Sequence, residues 1–248
     1  MTDDVKKRLN VVLVAGGKYH DIDFARLELL KLLAEDDRIR TRVYEDYSNL
    51  HAISNADFLI TYTCDVRPTL EQQKVLRDFV ANGKRWLALH GTNSILQFLS
   101  DGRVDCPRVA PIFMETLGSQ FLSHPPIEPY TVKVADHDHH LVEGVEPFET
   151  TDELYLMETH GELHVLLETE FEGKTPGFFI NAEKVFRQMS PACFFTTAKG
   201  STLYDFSGWQ KQCEDYFNLT IEEIKCQINI EQMKSVPSTK LLDKTLSI

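Results

Sequence analysis

The strongest constraint on this chain lies in its first ninety residues, where short apolar runs alternate four times with segments of helical or turn character. Residues 9–15 (Leu-Asn-Val-Val-Leu-Val-Ala) are β-branched and end at Gly16-Gly17, the pattern of a buried strand feeding a tight turn. After Asp21, residues Phe24, Leu27, Leu30 and Ala34, flanked by Leu29 and Leu33, form a stripe at helical spacing opposed by Arg26, Glu28, Lys31 and Glu35. Residues 40–44 and 57–63 read as the second and third strands, with room for only a short helix across 48–55. Thr69 and Gln72 form a capping box at the start of a helix carrying Val75, Leu76, Phe79 and Val80, which ends at Asn82-Gly83. Residues 85–89 are the fourth strand. Strands alternating with helices through short connections predict an α/β fold, a parallel sheet covered by helices on both faces.

Beyond Gly91 the rhythm changes. Residues 107–117 read as helix, and residues 120–180 hold short extended runs, clearest at 132–135 and 164–169. No Pro/Gly/Ser-rich linker divides the chain, so these runs are expected to extend the same core. A second capping box, Thr220 and Glu223, precedes Ile221, Ile224 and Ile228 and predicts a last helix to about Lys234. A single domain over residues 1–234 is expected, with 235–248 as a mobile tail.

Composition narrows the function. The net charge is −12, which repels phosphate backbones, and Lys6-Lys7-Arg8 is too short to reverse that, so no nucleic-acid partner is expected. The longest apolar runs, such as 11–15, fall short of the ~18 residues of a membrane span, and the amino terminus lacks a leader pattern. A cytoplasmic protein without membrane association follows as the expectation. The five cysteines, Cys64, Cys106, Cys193, Cys213 and Cys226, are scattered without C-x-x-C spacing and read as reduced thiols. The Gly16-Gly17 turn lacks the G-x-G-x-x-G spacing of a dinucleotide site, so no nucleotide cofactor is expected.

In open parallel sheets the functional crevice lies beyond the carboxyl ends of the strands. Two histidines follow such ends: His20 after strand one, and His90 directly after strand four in Ala88-Leu89-His90-Gly91-Thr92. In a flavodoxin-like order 2-1-3-4-5 these strands are two positions apart, ~10 Å, so the imidazoles can converge. Position 90 holds histidine where many α/β hydrolytic enzymes carry a serine or cysteine nucleophile between glycines. A covalent route would need Cys64 or Thr92, and Cys64 has no basic sequence neighbour to activate its thiol. His124 and the pair Asp152-Glu153 add the residue types of acid–base work or of a divalent metal site, between which sequence does not choose. The run His137-Asp138-His139-His140 resembles a metal tract, but adjacent side chains cannot all face one ion, and a solvated loop is expected.

Taken in order, Gly16-Gly17-Lys18-Tyr19-His20-Asp21, Leu89-His90-Gly91-Thr92, Phe121-x-x-His124-Pro125 and Phe148-x-x-x-Asp152-Glu153-Leu154-Tyr155 resemble the motifs of the trehalose-utilisation (ThuA-like) family, from about Asn10 to Tyr204. The resemblance implies a flavodoxin-like fold similar to class I glutamine amidotransferases, with histidine replacing their elbow cysteine and hence no glutamine hydrolysis by a thioester. It also implies a small carbohydrate ligand, such as a disaccharide or keto-sugar; a homo-oligomer is a separate expectation that the resemblance does not carry. His90, Glu153 and His124 are then the expected catalytic groups. Gly17, His20, Thr92, Asp152 and Tyr155 are the expected substrate-binding residues, and His20, His90 and His124 are candidates for a divalent metal such as zinc. The chain departs from the family at Ser207-Gly208-Trp209, where a Leu-Gly-His is usual. That departure motivates a rival expectation, a non-catalytic carbohydrate-binding or regulatory protein on the same scaffold.

Overall fold

The computed structural model of the chain describes residues 8–180 and the strand backbone at 186–198 and 201–202. The element order is β1 (Leu9–Gly17), α1 (Ile22–Leu33), β2 (Ile39–Tyr44), α2 (Leu50–Asn55), β3 (Phe58–Cys64), α3 (Leu70–Ala81) and β4 (Arg85–Leu89), then a 3-10 turn at His90–Asn93. There follow β5 (Gln97–Phe98), β6 (Val104–Asp105), α4 (Pro111–Leu117), β7 (Ser119–Ser123), β8 (Glu128–Val134), β9 (Phe148–Asp152), β10 (Leu156–Thr159), β11 (Glu162–Gly173), β12 (Phe186–Ala198) and β13 (Ser201–Thr202).

The first four strands form a parallel sheet in the order β2-β1-β3-β4. This is the expected flavodoxin-like sequence of strands over its first four members; no fifth strand joins the sheet at β4 among the described residues. Alternation along β1 sends Val11, Leu13 and Ala15 to one face, packed with Leu29 and Leu33 of α1, and Val12 and Val14 to the other, packed with α2, α3 and α4. The β-rich extension is a five-stranded sheet, β13-β12-β11-β8-β9, plus an antiparallel pair of β7 and β10.

Most local expectations hold to within a residue or two, and three differ for physical reasons. In α1 the sequence stripe predicts Phe24, Leu27 and Ala34 inward, yet all three are exposed. The inward face is Ile22, Arg26, Leu29 and Leu33, because the Arg26 guanidinium donates 2.8 Å to the Ala15 carbonyl at the end of β1. Helix α4 starts at Pro111 rather than near residue 107, since proline suits the first helical turn and keeps Ala110 before it out of helical conformation. The run predicted at 164–169 is part of a twelve-residue strand, β11, bulged where it pairs with β12. The Thr69–Gln72 capping box is present with both reciprocal hydrogen bonds. The expected helix at 220–234, the tail and Trp209 lie outside the described residues. No helix among the described residues is long and apolar enough to cross a membrane.

Candidate active site

The carboxyl rim of the parallel sheet is where backbone strain concentrates. The three described non-glycine residues with positive φ are Tyr19 (70°), Asp65 (54°) and His90 (46°), just beyond β1, β3 and β4 respectively. An L-residue in this region costs about 1–2 kcal/mol and persists only where surroundings impose it. They do so here. Gly17, at φ 110°, pairs in register with Cys64, and a Cβ on it would stand 1.9 Å from the Cys64 carbonyl oxygen. The Lys18 amide then donates to that same carbonyl at 3.0 Å. Asp65, its carboxylate only 4% exposed, accepts from Lys18 Nζ at 2.9 Å, from Arg67 Nε and from the Leu96 amide, tying three rim loops together.

On this frame His20 and His90 meet, their ring centroids 4.5 Å apart and their planes at 70°. The β-rich extension supplies the rest: His124 after β7, Glu153 after β9, and Tyr155 before β10. His90 Nε2 lies 3.4 Å from Glu153 Oε2, and His124 Nε2 lies 3.6 Å from Glu153 Oε1. The three side chains are 20–24% exposed, half sunk in a cleft. The Tyr155 hydroxyl is 3.3 Å from His90 Nε2, and its ring stacks on the His90 imidazole at 4.9 Å. Tyr62 stacks on the same imidazole at 5.7 Å. Phe121 and Phe178 complete an aromatic wall behind His124.

Electrostatics follow from this crowding. Burial, reinforced by the neighbouring His90, lowers the His20 pKa to about 4. Burial pushes the Glu153 carboxyl the other way, but the hydrogen-bonding and positive potential of His90, His124 and His20 prevail and hold it at about 2. His124 Nδ1 is 2.7 Å from the Pro125 carbonyl, which can only accept, so Nδ1 carries a proton and Nε2 is the nitrogen that faces Glu153. Burial raises the Tyr155 phenol far above its ordinary range, so it stays a neutral donor.

The structure thus gathers His20, His90, His124, Glu153 and Tyr155 around one cleft. Three other candidate residues serve as its supports. Thr92 is buried beneath the elbow, and its hydroxyl donates to the Leu89 carbonyl at 2.8 Å and lies 3.1 Å from the Thr61 hydroxyl. Asp152 accepts from the Glu153 amide at 2.7 Å and so fixes the turn presenting that carboxylate. Gly17 lets β1 approach β3. The metal-range trio is His20, His90 and Glu153, whose ligand atoms lie within 4.8 Å of one another. His124, a candidate ligand from sequence, stands instead at the other oxygen of Glu153. Cys64 is a free buried thiol whose pKa burial pushes up to about 12, unsuited to nucleophilic attack; Cys106 is likewise free. The His137–His140 run lies on the β8–β9 connection, where His139 caps a 3-10 turn and His164 pairs with Asp136 at 2.6 Å.

Sequence reasoning missed the walls. Tyr62 carries a usable signal, since it sits two residues before the end of β3 on the same side as Cys64; Phe178 has none, because only the bridge between Val104 and Phe178 brings it in.

Comparison with known proteins agrees with this architecture. The chain is similar to a ThuA-like protein from Bacteroides uniformis (TM-score 0.55, 16% identity, 77% of this chain and 78% of that one). It is also similar to one from Parabacteroides merdae (TM-score 0.52, 16% identity, 79% and 77%). At such identities the likeness concerns the fold. No curated protein matches the sequence. The family model ThuA, described as trehalose utilisation, matches residues 10–215, most of the chain; this protein therefore belongs to the ThuA family.

Proposed function

We propose that the chain is a sugar-processing enzyme that acts on a small carbohydrate, of the disaccharide or keto-sugar class, through imidazole–carboxylate proton transfer. The observation that carries this reading is the placement of one ionised carboxylate, Glu153, between two imidazoles, one at each oxygen, in a cleft walled by aromatic rings. Histidine is the side chain that both accepts and returns a proton near neutral pH, and a fixed carboxylate beside it stabilises the protonated ring. The half-buried Tyr62 ring would offer apolar surface to the C–H side of a sugar ring, while His20 and the Tyr155 hydroxyl would offer polar atoms to its oxygens. Membership of a family described as trehalose utilisation supports the carbohydrate class.

The test is turnover of a panel of disaccharides and their keto derivatives, followed by product analysis. Activity that is lost in Glu153→Gln and in His124→Ala, with the thermal unfolding midpoint within a few degrees of wild type, is the expected result. The departure at Ser207-Gly208-Trp209 favours a second reading, a carbohydrate-binding protein without catalysis. Saturable sugar binding by calorimetry with no turnover of any panel member would select it.

A further inference from the structure

The separation within the central pair is informative. A direct charge-assisted hydrogen bond between an imidazolium and a carboxylate settles at about 2.7–2.9 Å, yet His90 Nε2 and Glu153 Oε2 stand 3.4 Å apart. That is the ligand-to-ligand edge of a tetrahedron about a metal ion with bonds of 2.0–2.1 Å, roughly 3.3–3.4 Å. His20 offers a third ligand atom, all three lying within 4.8 Å of one another, a span that small side-chain rotations close around one ion. Each ligand comes from a separately braced segment: His20 follows the Gly17 turn, His90 the strained elbow, and Glu153 the turn held by Asp152. Two imidazoles and one carboxylate suit zinc and its first-row neighbours rather than the oxygen-seeking magnesium or calcium. Three protein ligands leave a fourth position open, as catalytic rather than structural zinc sites do.

We propose that His20, His90 and Glu153 form a binding site for one divalent transition-metal ion of the zinc type, with His124 outside the ligand set. When bound, such an ion supplies Lewis acidity toward a carbonyl or hydroxyl oxygen. This deepens the sugar-processing reading, on which its catalytic role rests although its geometry does not: His90 and Glu153 serve as ligands.

The test uses untagged full-length protein, stripped with chelator and titrated with Zn2+ by calorimetry, with Co2+ as an absorption probe of tetrahedral geometry. Wild type is expected to bind one equivalent, to show the intense visible bands of tetrahedral cobalt, and to unfold at higher temperature with Zn2+ present. His20→Gln, His90→Gln and Glu153→Gln should each weaken binding by more than ~100-fold, since even groups that only orient ligands are worth ~10–100-fold. His124→Gln removes no ligand but only a neighbour of Glu153 Oε1, so it should weaken binding by no more than the ~10–100-fold of an orienting group and less than any of the three ligand variants. Should a ligand variant fail to fold, the cobalt spectrum decides the matter in wild type, where octahedral bands or none would overturn the proposal. So would stoichiometric zinc retained by Glu153→Gln, or zinc lost in His124→Gln but kept in His20→Gln. Sugar turnover by the chelator-treated protein would overturn the ion's catalytic role and leave the enzyme reading standing; zinc held by the trio without any turnover would leave the metal site standing and overturn the enzyme reading.

Discussion

At the elbow, glycine should outperform alanine, the reverse of the ordinary order. His90 has φ 46°, directly after β4, and the comparison of His90→Gly with His90→Ala isolates its backbone because both variants lose the imidazole. Alanine at that position keeps the left-handed penalty of about 1–2 kcal/mol. Glycine escapes it but gives up about 0.5–1 kcal/mol of extra chain entropy on folding. The difference leaves His90→Gly more stable by about 0.5–1 kcal/mol, or about 1–4 °C in the unfolding midpoint for a chain of this size. Lys74, exposed in the middle of α3, is the control: there glycine should fall behind alanine by about 1 kcal/mol. Urea unfolding of the four variants in chelator, analysed with a common slope, measures both differences. If His90→Ala equals or exceeds His90→Gly while the Lys74 pair behaves normally, the elbow is not strained, and the claim that the fold expends stability to aim this imidazole is wrong.

Four further outcomes follow from the same geometry. Thr92→Val removes the hydroxyl linking Leu89 to the chain in which Trp86 Nε1 donates to Thr61 Oγ1, and should cost about 1–3 kcal/mol in denaturant unfolding; a loss under half of that lower bound would show the hydroxyl to be dispensable. Gly17→Ala should cost about 3–5 kcal/mol or abolish soluble expression, its Cβ meeting the Cys64 carbonyl, and a near-native urea midpoint would contradict the packing of β1 on β3. In metal-free protein the His20 pKa of about 4 against an ordinary 6.5 means that the unfolded chain takes up this proton first. Stability relative to His20→Gln should therefore fall as pH drops from about 6.5 to about 4, and a flat or opposite trend would show His20 to be solvated. Burial pushes Cys64 and Cys106 to about 12, so iodoacetamide at mildly alkaline pH should label neither until urea is added, as read by peptide mapping; rapid labelling of Cys64 in native protein would place it in open contact with solvent.

How much of this was legible in the chain depends on whether a residue's role is set locally or by distant pairing. Strands β1 to β4 and the α3 cap were legible because alternation and capping are nearest-neighbour effects, and His20 and His90 inherited their positions from the strand ends they follow. The face of α1 was not legible. Hydrophobicity alone puts Phe24 and Leu27 inside, whereas the Ala15 carbonyl of β1 accepts a hydrogen bond from Arg26 and draws that side chain inward, a contact that appears only once the strand is in place. Glu153 and His124 reach the cleft through the antiparallel pairing of β8 with β9 and β7 with β10, contacts that no periodicity encodes; residue type marked them as candidates, and only the ordered motifs put them in one site with His20 and His90. Residue type also misleads where polar atoms are already engaged: the Thr92 hydroxyl and the Asp152 carboxylate look like ligand-binding groups, yet hydrogen bonds to Leu89 and Glu153 turn them toward the fold. By that criterion the cleft divides into groups that hold and groups that are held. Gly17, Asp65, Thr92 and Asp152 direct their bonds or their lack of bulk at neighbouring backbone or rim loops, while His20, His90 and Glu153 keep ligand atoms within 4.8 Å of one another, the span a shared ion would draw together.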